Sequence, residues 1–237
     1  QISKWSFMNN GKKSVPLVIR LIIGKGWGQG PQHSQSLESI FAHIPGLKVV
    51  VPSNPEDAKG LLISSIEDNN PVIFFEHRWL HEIKDKVPLK YYKKKIGQPT
   101  VRIKGNAITL VSYSYMLIET LKAANILKQH DIMCEVIDLS TLRPLNLKKI
   151  VTSIKKTKSF LFIDNGYSEF GIGSEVVSKL FNIISNKKGY IFDKMGLPSY
   201  PIPSTRKLAA LCYPTYKDIV NRILKITKSK KKISIKE

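Results

Sequence analysis

Six short apolar runs separated by helix-length segments constrain this chain more than any other feature. They are VPLVIRLII (15–23), LKVVV (47–51), VIFF (72–75), ITLVSY (108–113), MCEVIDL (133–139) and FLFID (160–164). Most positions in them are Val, Ile, Leu or Phe rather than alternately polar, so they predict strands buried on both faces. The segments at 36–44, 54–68, 115–129, 146–156 and 172–185 predict helices, as do two C-terminal stretches, the last near 216–227. The clearest is 54–68, where Ala58, Leu61, Leu62, Ser65 and Ile66 form one stripe and Ser53 and Glu56 read as a capping box. Strands alternating with helices predict an α/β fold built on parallel sheets.

The 237 residues allow one large domain or two modest ones. With 42% hydrophobic and 24% charged residues, the composition excludes wholesale disorder and collagen-like classes. Two cysteines, Cys134 and Cys212, exclude a disulfide scaffold and are too few for a structural zinc site. No apolar run approaches the ~20 residues of a membrane helix, and QISKWSFMNN has no signal-peptide core. It also lacks an initiating Met, so the chain is expected to start within a longer protein.

The formal charge of +20 suggests a nucleic-acid or anionic partner. Of the 38 basic residues, however, only six are Arg. Nucleic-acid readers favour Arg for bidentate contacts. A Lys excess alongside abundant Ile and Asn is what an AT-rich genome writes on a tolerant surface. No nucleic-acid or membrane partner is therefore expected, and the basic tail 228–237 reads as a frayed end.

A basic stretch with Pro88, Gly97 and Pro99 runs from 81 to 106 and reads as a linker. It divides the chain into 1–95 and 96–237. The first part resembles the latter half of a domain, because its few strands make a thin sheet for so buried a pattern. The second part has a full set of elements.

Several motifs bear on chemistry. GKGWGQG (24–30) lacks the direct entry into a helix that a dinucleotide fingerprint needs, and reads as a loop allowing close approach. His33 follows it, just ahead of a helix, where an imidazole suits proton transfer or is simply exposed. His43, His77, His81 and His130 show no metal-ligand spacing, and His77 ends a strand. SSIEDNNP (64–71) reads as a helix-ending turn whose free carbonyls can hold a cation. FGIGSE (170–175) opens a helix, as a tight turn rather than an anion site.

Taken in order, VPLVIR, GWGQGPQHSQSLES, HIPGLKVVVPSNPEDAKGLL, DNNPVIFFEH, TLVSYS, EVIDLSTLRPLN, SIKKT and FGIGSEV resemble the β-type subunit of thiamine-diphosphate-dependent 2-oxoacid dehydrogenases. These are the decarboxylating components of the pyruvate, branched-chain 2-oxoacid and acetoin dehydrogenase complexes, in the transketolase-like superfamily. The resemblance spans about residues 1–225. It implies a transketolase-like fold, with 1–95 as the C-terminal part of a pyrimidine-binding domain and 96–237 as a complete transketolase C-terminal domain. It gives His33 the role of the family's HSQ histidine beside the cofactor thiazolium. It places potassium on backbone carbonyls at Ser65, Ile66, Asp68 and Asn70.

The resemblance implies that family β subunits begin with an N-terminal segment of about a hundred residues ahead of the stretch matched here. In the family that segment carries the glutamate that pairs with the aminopyrimidine, so the isolated chain is expected to be inactive. The resemblance implies that thiamine diphosphate is shared with an α-type partner, which also holds Mg²⁺. The expected role is to help decarboxylate pyruvate or a related 2-oxoacid and pass the acyl group to a lipoyl carrier. A lipoyl acyltransferase and a homo- or hetero-oligomer are implied partners, in a bacterial cytoplasm or an organelle matrix. Two alternatives stay open: a non-catalytic assembly protein that keeps the C-terminal domain, and a transketolase-like enzyme half acting on another 2-oxoacid or ketose.

Overall fold

The computed structural model describes residues 1–24, 29–184, 188–229 and 233. A single helical turn, α1 (Trp5–Met8), precedes β1 (Val18–Ile23), a 3-10 turn at Pro31–His33, α2 (Glu38–His43), β2 (Lys48–Val50), α3 (Pro55–Ile66) and β3 (Val72–His77). There follow β4 (Thr100–Ile103), β5 (Ile108–Ser112), α4 (Ser114–Lys128), β6 (Cys134–Asp138), β7 (Thr141–Arg143) and α5 (Lys148–Thr157). The chain continues through β8 (Ser159–Tyr167), α6 (Ile172–Ile183), β9 (Ile191–Leu197), α7 (Arg206–Cys212) and α8 (Tyr216–Ile226). Two sheets form, in the orders β1-β3-β2-β7 and β4-β6-β5-β8-β9. All pairings are parallel except β7 on β2 and β4 on β6.

Period-2 alternation distributes the apolar runs between layers. In the first sheet, Val50, Val72 and Phe74 face α3 through Leu61. Val49, Val51, Ile73 and Phe75 point the other way, into a core shared with Val111, Ile137, Phe160 and Phe162 of the second sheet. On the far face of the second sheet, Ile108, Leu110, Val136, Leu161 and Ile163 pack against α4 and α8. One buried cluster therefore belongs to both halves of the chain.

Three expectations need correction. The cap of α3 is Asn54, whose side chain accepts from the Asp57 N–H at 2.9 Å. Ser53 is not a cap. It is buried, donates to Asp138 at 3.0 Å and accepts from the Ser114 N–H at 2.8 Å. The stretch 81–106 is not wholly linker, because β4 forms the antiparallel edge of the second sheet. Finally, STLRP contains a strand that sequence periodicity did not show. β7 leaves the second sheet's side of the chain and pairs with β2, closing the first sheet. Of the basic tail, all but Lys228, Ser229 and Ile233 lies outside the described residues.

A buried polar joint crosses between the halves beside that shared core. Arg102 on β4 donates to Asp138 on β6 at 2.8 and 3.2 Å, and also to Asp57 on α3. Asp138 is fully buried and Asp57 nearly so. Lys94 also pairs with Asp57, and reaches Glu56 at 3.1 Å. Removing one partner of such a group leaves buried charge uncompensated, at about 3–5 kcal/mol. Arg102→Met leaves two carboxylates facing one another, so urea unfolding of this variant is expected to show a loss of that size. A loss below about 1 kcal/mol, the scale of an exposed pair, would show that the joint is peripheral.

Candidate active site

In parallel α/β sheets, ligands bind beyond the carboxyl ends of the strands. For the first sheet those ends are Gly24 after β1, Val51 after β2 and His77 closing β3. Gly24 has φ +86°, and a Cβ there would lie 2.3 Å from His77 Nε2, so only glycine fits. Its N–H donates to the Gln35 carbonyl at 3.2 Å. That bond ties Gly24 to the segment 29–35, which carries His33. Residues 25–28, the centre of the glycine-rich motif, lie outside the described residues.

Gly30, at φ +66°, packs so closely on Ser204 that a Cβ would meet its Oγ at 2.7 Å. The loop thus rests on the proline-rich segment 198–205 of the second half. His33, on the 3-10 turn, is exposed. After it, Ser34, Ser36 and Glu38 are buried while Gln35 is exposed. The alternate inward residues anchor the segment and leave the imidazole facing outward.

His77 differs in character. It is buried, and burial pushes its pKa down to about 3. Nδ1 accepts from the Trp79 N–H at 3.2 Å, and the ring stacks on Tyr115 at 5.2 Å. It remains a neutral core group at neutral pH and does not shuttle protons there.

The turn with Ser65, Ile66, Asp68 and Asn70 lies at the opposite, amino end of the sheet, between α3 and β3. Ser65 Oγ donates back to the Leu61 carbonyl at 2.7 Å, and the Ser65 carbonyl accepts from the Asp68 N–H at 3.3 Å. The Asp68 carboxylate accepts from the Asn70 N–H at 2.8 Å and from Lys48. Burial works against its charge, but Lys48 and Asn70 more than offset this and lower its pKa. The turn's side chains are thus committed to protein partners, which leaves backbone carbonyls as donors for an ion. His33 and this turn are separate sites. Among the described residues, no group of three His, Cys, Asp or Glu side chains could hold a metal.

At FGIGSE the tight-turn expectation matches the structure. The α6 N-terminus is filled by the chain's own Asp164, which accepts from the Gly173 N–H at 2.8 Å. A groove of about 890 Å³, lined in part by His43, Arg143, Phe170 and Glu175, runs between α2, β7 and α6. Neither His33 nor His77 lines it. A buried group that sequence reading missed lies in the same interface: Tyr113, whose hydroxyl touches both Glu38 and Asp164. Nothing in the sequence signals it, since Ser34, Ser36 and Glu38 are polar and their burial is seen only in the structure.

Comparison with known proteins agrees with this architecture. The transketolase pyrimidine-binding domain matches residues 3–82 and the transketolase C-terminal domain matches 97–219. The pyruvate dehydrogenase E1 component subunit beta of Staphylococcus epidermidis is 42% identical over 181 residues, covering 76% of this chain and 56% of that protein. The acetoin:2,6-dichlorophenolindophenol oxidoreductase subunit beta of Bacillus subtilis is 36% identical, covering 95% of this chain and 66% of that one. Its counterpart from Cupriavidus necator is 34% identical, covering 98% and 68%. The chain belongs to this transketolase-like family of β-type subunits.

It spans little more than half the length of its staphylococcal relative. Among solved structures, a split-gene transketolase described as an inactive beta4 tetramer aligns with TM-score 0.71 at 18% identity, covering 96% of this chain and 72% of that one. A transketolase mutant from Pichia stipitis aligns with TM-score 0.63 at 14% identity, covering 96% and 33%. These two likenesses carry the fold alone. His33 is the exposed imidazole at the carboxyl end of the first sheet, and His77 is the buried one.

Proposed function

We propose that this chain is the larger part of a β-type subunit of a thiamine-diphosphate-dependent 2-oxoacid dehydrogenase, and that an α-type subunit completes its active site. The observation that carries this reading is the placement of His33. It is exposed at the carboxyl ends of the parallel strands, on a loop tied by Gly24 to Gln35 and seated on Ser204. The names of its β-subunit relatives support the same reaction class. The domain boundary in this reading falls at 95/96.

When bound, thiamine diphosphate supplies the electron sink that decarboxylation of a 2-oxoacid requires. An exposed imidazole on a constrained loop fits a place beside that group. We assign Mg²⁺ and the cofactor diphosphate to the α-type partner. His33 holds or moves one proton at an imidazole nitrogen as charge develops on the reacting substrate. Gly24 and Gly30 fix where that ring stands, and the buried Glu38, in contact with Tyr113 and Asn165, holds the segment that follows it. Pyruvate or a related 2-oxoacid is the substrate class, and a lipoyl carrier on an acyltransferase is the acceptor.

β1 supports the partner assignment. It is an edge strand of the first sheet, with Ile22 55% exposed and Leu17, just before it, 39% exposed. Such an edge is a pairing site for further chain.

The first test uses the complete β-type subunit assembled with its α-type subunit. His33→Ala is expected to lower decarboxylation by about 10²–10⁴-fold while assembly, read by sedimentation, is retained. Wild-type turnover by an assembled His33→Ala enzyme would overturn the proposal. The second test concerns potassium on the carbonyls of Ser65, Ile66, Asp68 and Asn70. A site present only in the native state gains stability from its ion, so K⁺ is expected to raise the melting temperature above that in Na⁺ at equal ionic strength. Equal melting temperatures would remove the site.

A further inference from the structure

Between α2 and the second sheet lies a group of polar side chains with too few hydrogens for its contacts. The Tyr113 hydroxyl stands 2.5 Å from Asp164 Oδ1 and 3.0 Å from Glu38 Oε1. It has one hydrogen, so it donates to one carboxylate only. Asp164 is the shorter contact. It also accepts from the backbone N–H groups of Gly166, at 3.1 Å, and Gly173, at 2.8 Å. Glu38 is poorer in donors. Oε1 has the Asn165 amide at 3.3 Å, and Oε2 is buried without a hydrogen-bond partner.

An ionised carboxylate with a bare buried oxygen is costly. A neutral acid satisfies the geometry: Glu38 donates from Oε1 to the Tyr113 oxygen, Tyr113 donates to ionised Asp164, and Oε2 is left as an uncharged carbonyl. We propose that Glu38 is the protonated head of this chain, Glu38–Tyr113–Asp164, and that loss of its proton to solvent releases the segment 33–38, with His33, from the second sheet. Glu38 is a positioning residue and touches no reacting atom.

Electrostatics point the same way. Burial raises the Glu38 pKa to about 7; its own backbone N–H, Asn165 and Tyr113 pull it down, the Asp164 charge pushes it up, and burial outweighs them. Burial raises Asp164 too, but Tyr113 and the two backbone donors pull it back, as does Lys194 on β9. Lys194 itself donates to the Ser168 carbonyl, and Arg143 on β7 donates to the Ala42 carbonyl at the far end of α2. Neither cation reaches Glu38.

The sign follows from linkage. A carboxyl raised from an unfolded value near 4.5 to about 7 gives stability that is full below the unfolded pKa and lost as pH rises through the folded one. His77 acts in the opposite direction. With its pKa depressed from 6.5 to about 3, it makes stability rise with pH up to about 6.5. The two slopes oppose each other between about 4.5 and 6.5, so melting curves of the native chain alone would hide Glu38. Glu38→Gln keeps a donor to Tyr113 and cannot ionise, so it exposes the His77 slope.

The test reads the proton and the release separately, and neither readout involves turnover. In the native protein carrying ¹³C-carboxyl-labelled glutamate, difference infrared spectra are expected to show a protonated glutamate at about pH 6 that disappears by about pH 8.5. The band should be absent in Glu38→Gln. Amide exchange at 33–38, corrected for its intrinsic pH dependence, is expected to lose protection across the same interval in the native protein and to stay constant in Glu38→Gln. The labelled native protein answers the first question even if the variant fails to fold. Absence of a protonated glutamate at about pH 6, or equal loss of protection in both proteins, would overturn the proposal.

Discussion

The first sheet depends on burial that it does not supply itself. Val49, Val51, Ile73 and Phe75 have their partners in Val111, Ile137, Phe160 and Phe162, on the other half of the chain. The first sheet's outermost strand on that side, β7, is also delivered by the second half. Withdrawing the second half would expose the whole of that apolar face and leave β2 as a bare edge. Hydrophobic burial of this kind is roughly proportional to the apolar area removed from water. The first half therefore holds its shape through the second.

The same joint explains how a loop histidine acquires a fixed place. Gly24 and Gln35 are joined by a backbone hydrogen bond, and Gly30 between them lies against Ser204. Beyond His33, alternate residues turn inward to the second sheet. The interface that anchors them is partly polar. Arg102 unites Asp57 and Asp138 at one place, and Tyr113 stands between Glu38 and Asp164 at another. Such groups lock relative orientation when every hydrogen is accounted for.

Much of this was legible in the sequence, and the limits have physical causes. Doubly buried strands are continuous apolar runs, so VIFF and ITLVSY announced themselves. The β7 strand did not, because TLR is three residues long and its burial comes from pairing with β2 rather than from composition. Ser53 looked like a cap because Ser before a helix usually is one; its hydroxyl is instead taken by Asp138, 85 positions away in the chain. His33 could be placed by its motif, but its exposure depends on the loop tie at Gly24. The Glu38–Tyr113–Asp164 contact joins residues 75 and 51 positions apart, and no local pattern encodes such a meeting.

Native-state hydrogen exchange along a urea series tests the dependence of the first sheet on the second most directly. If the halves share one core, amides of β2 and β3 exchange through the same global opening as those of β5 and β8, with equal free energies and equal urea dependence. First-sheet amides that open at lower free energy and with a shallower urea slope, while the second sheet stays protected, would contradict it.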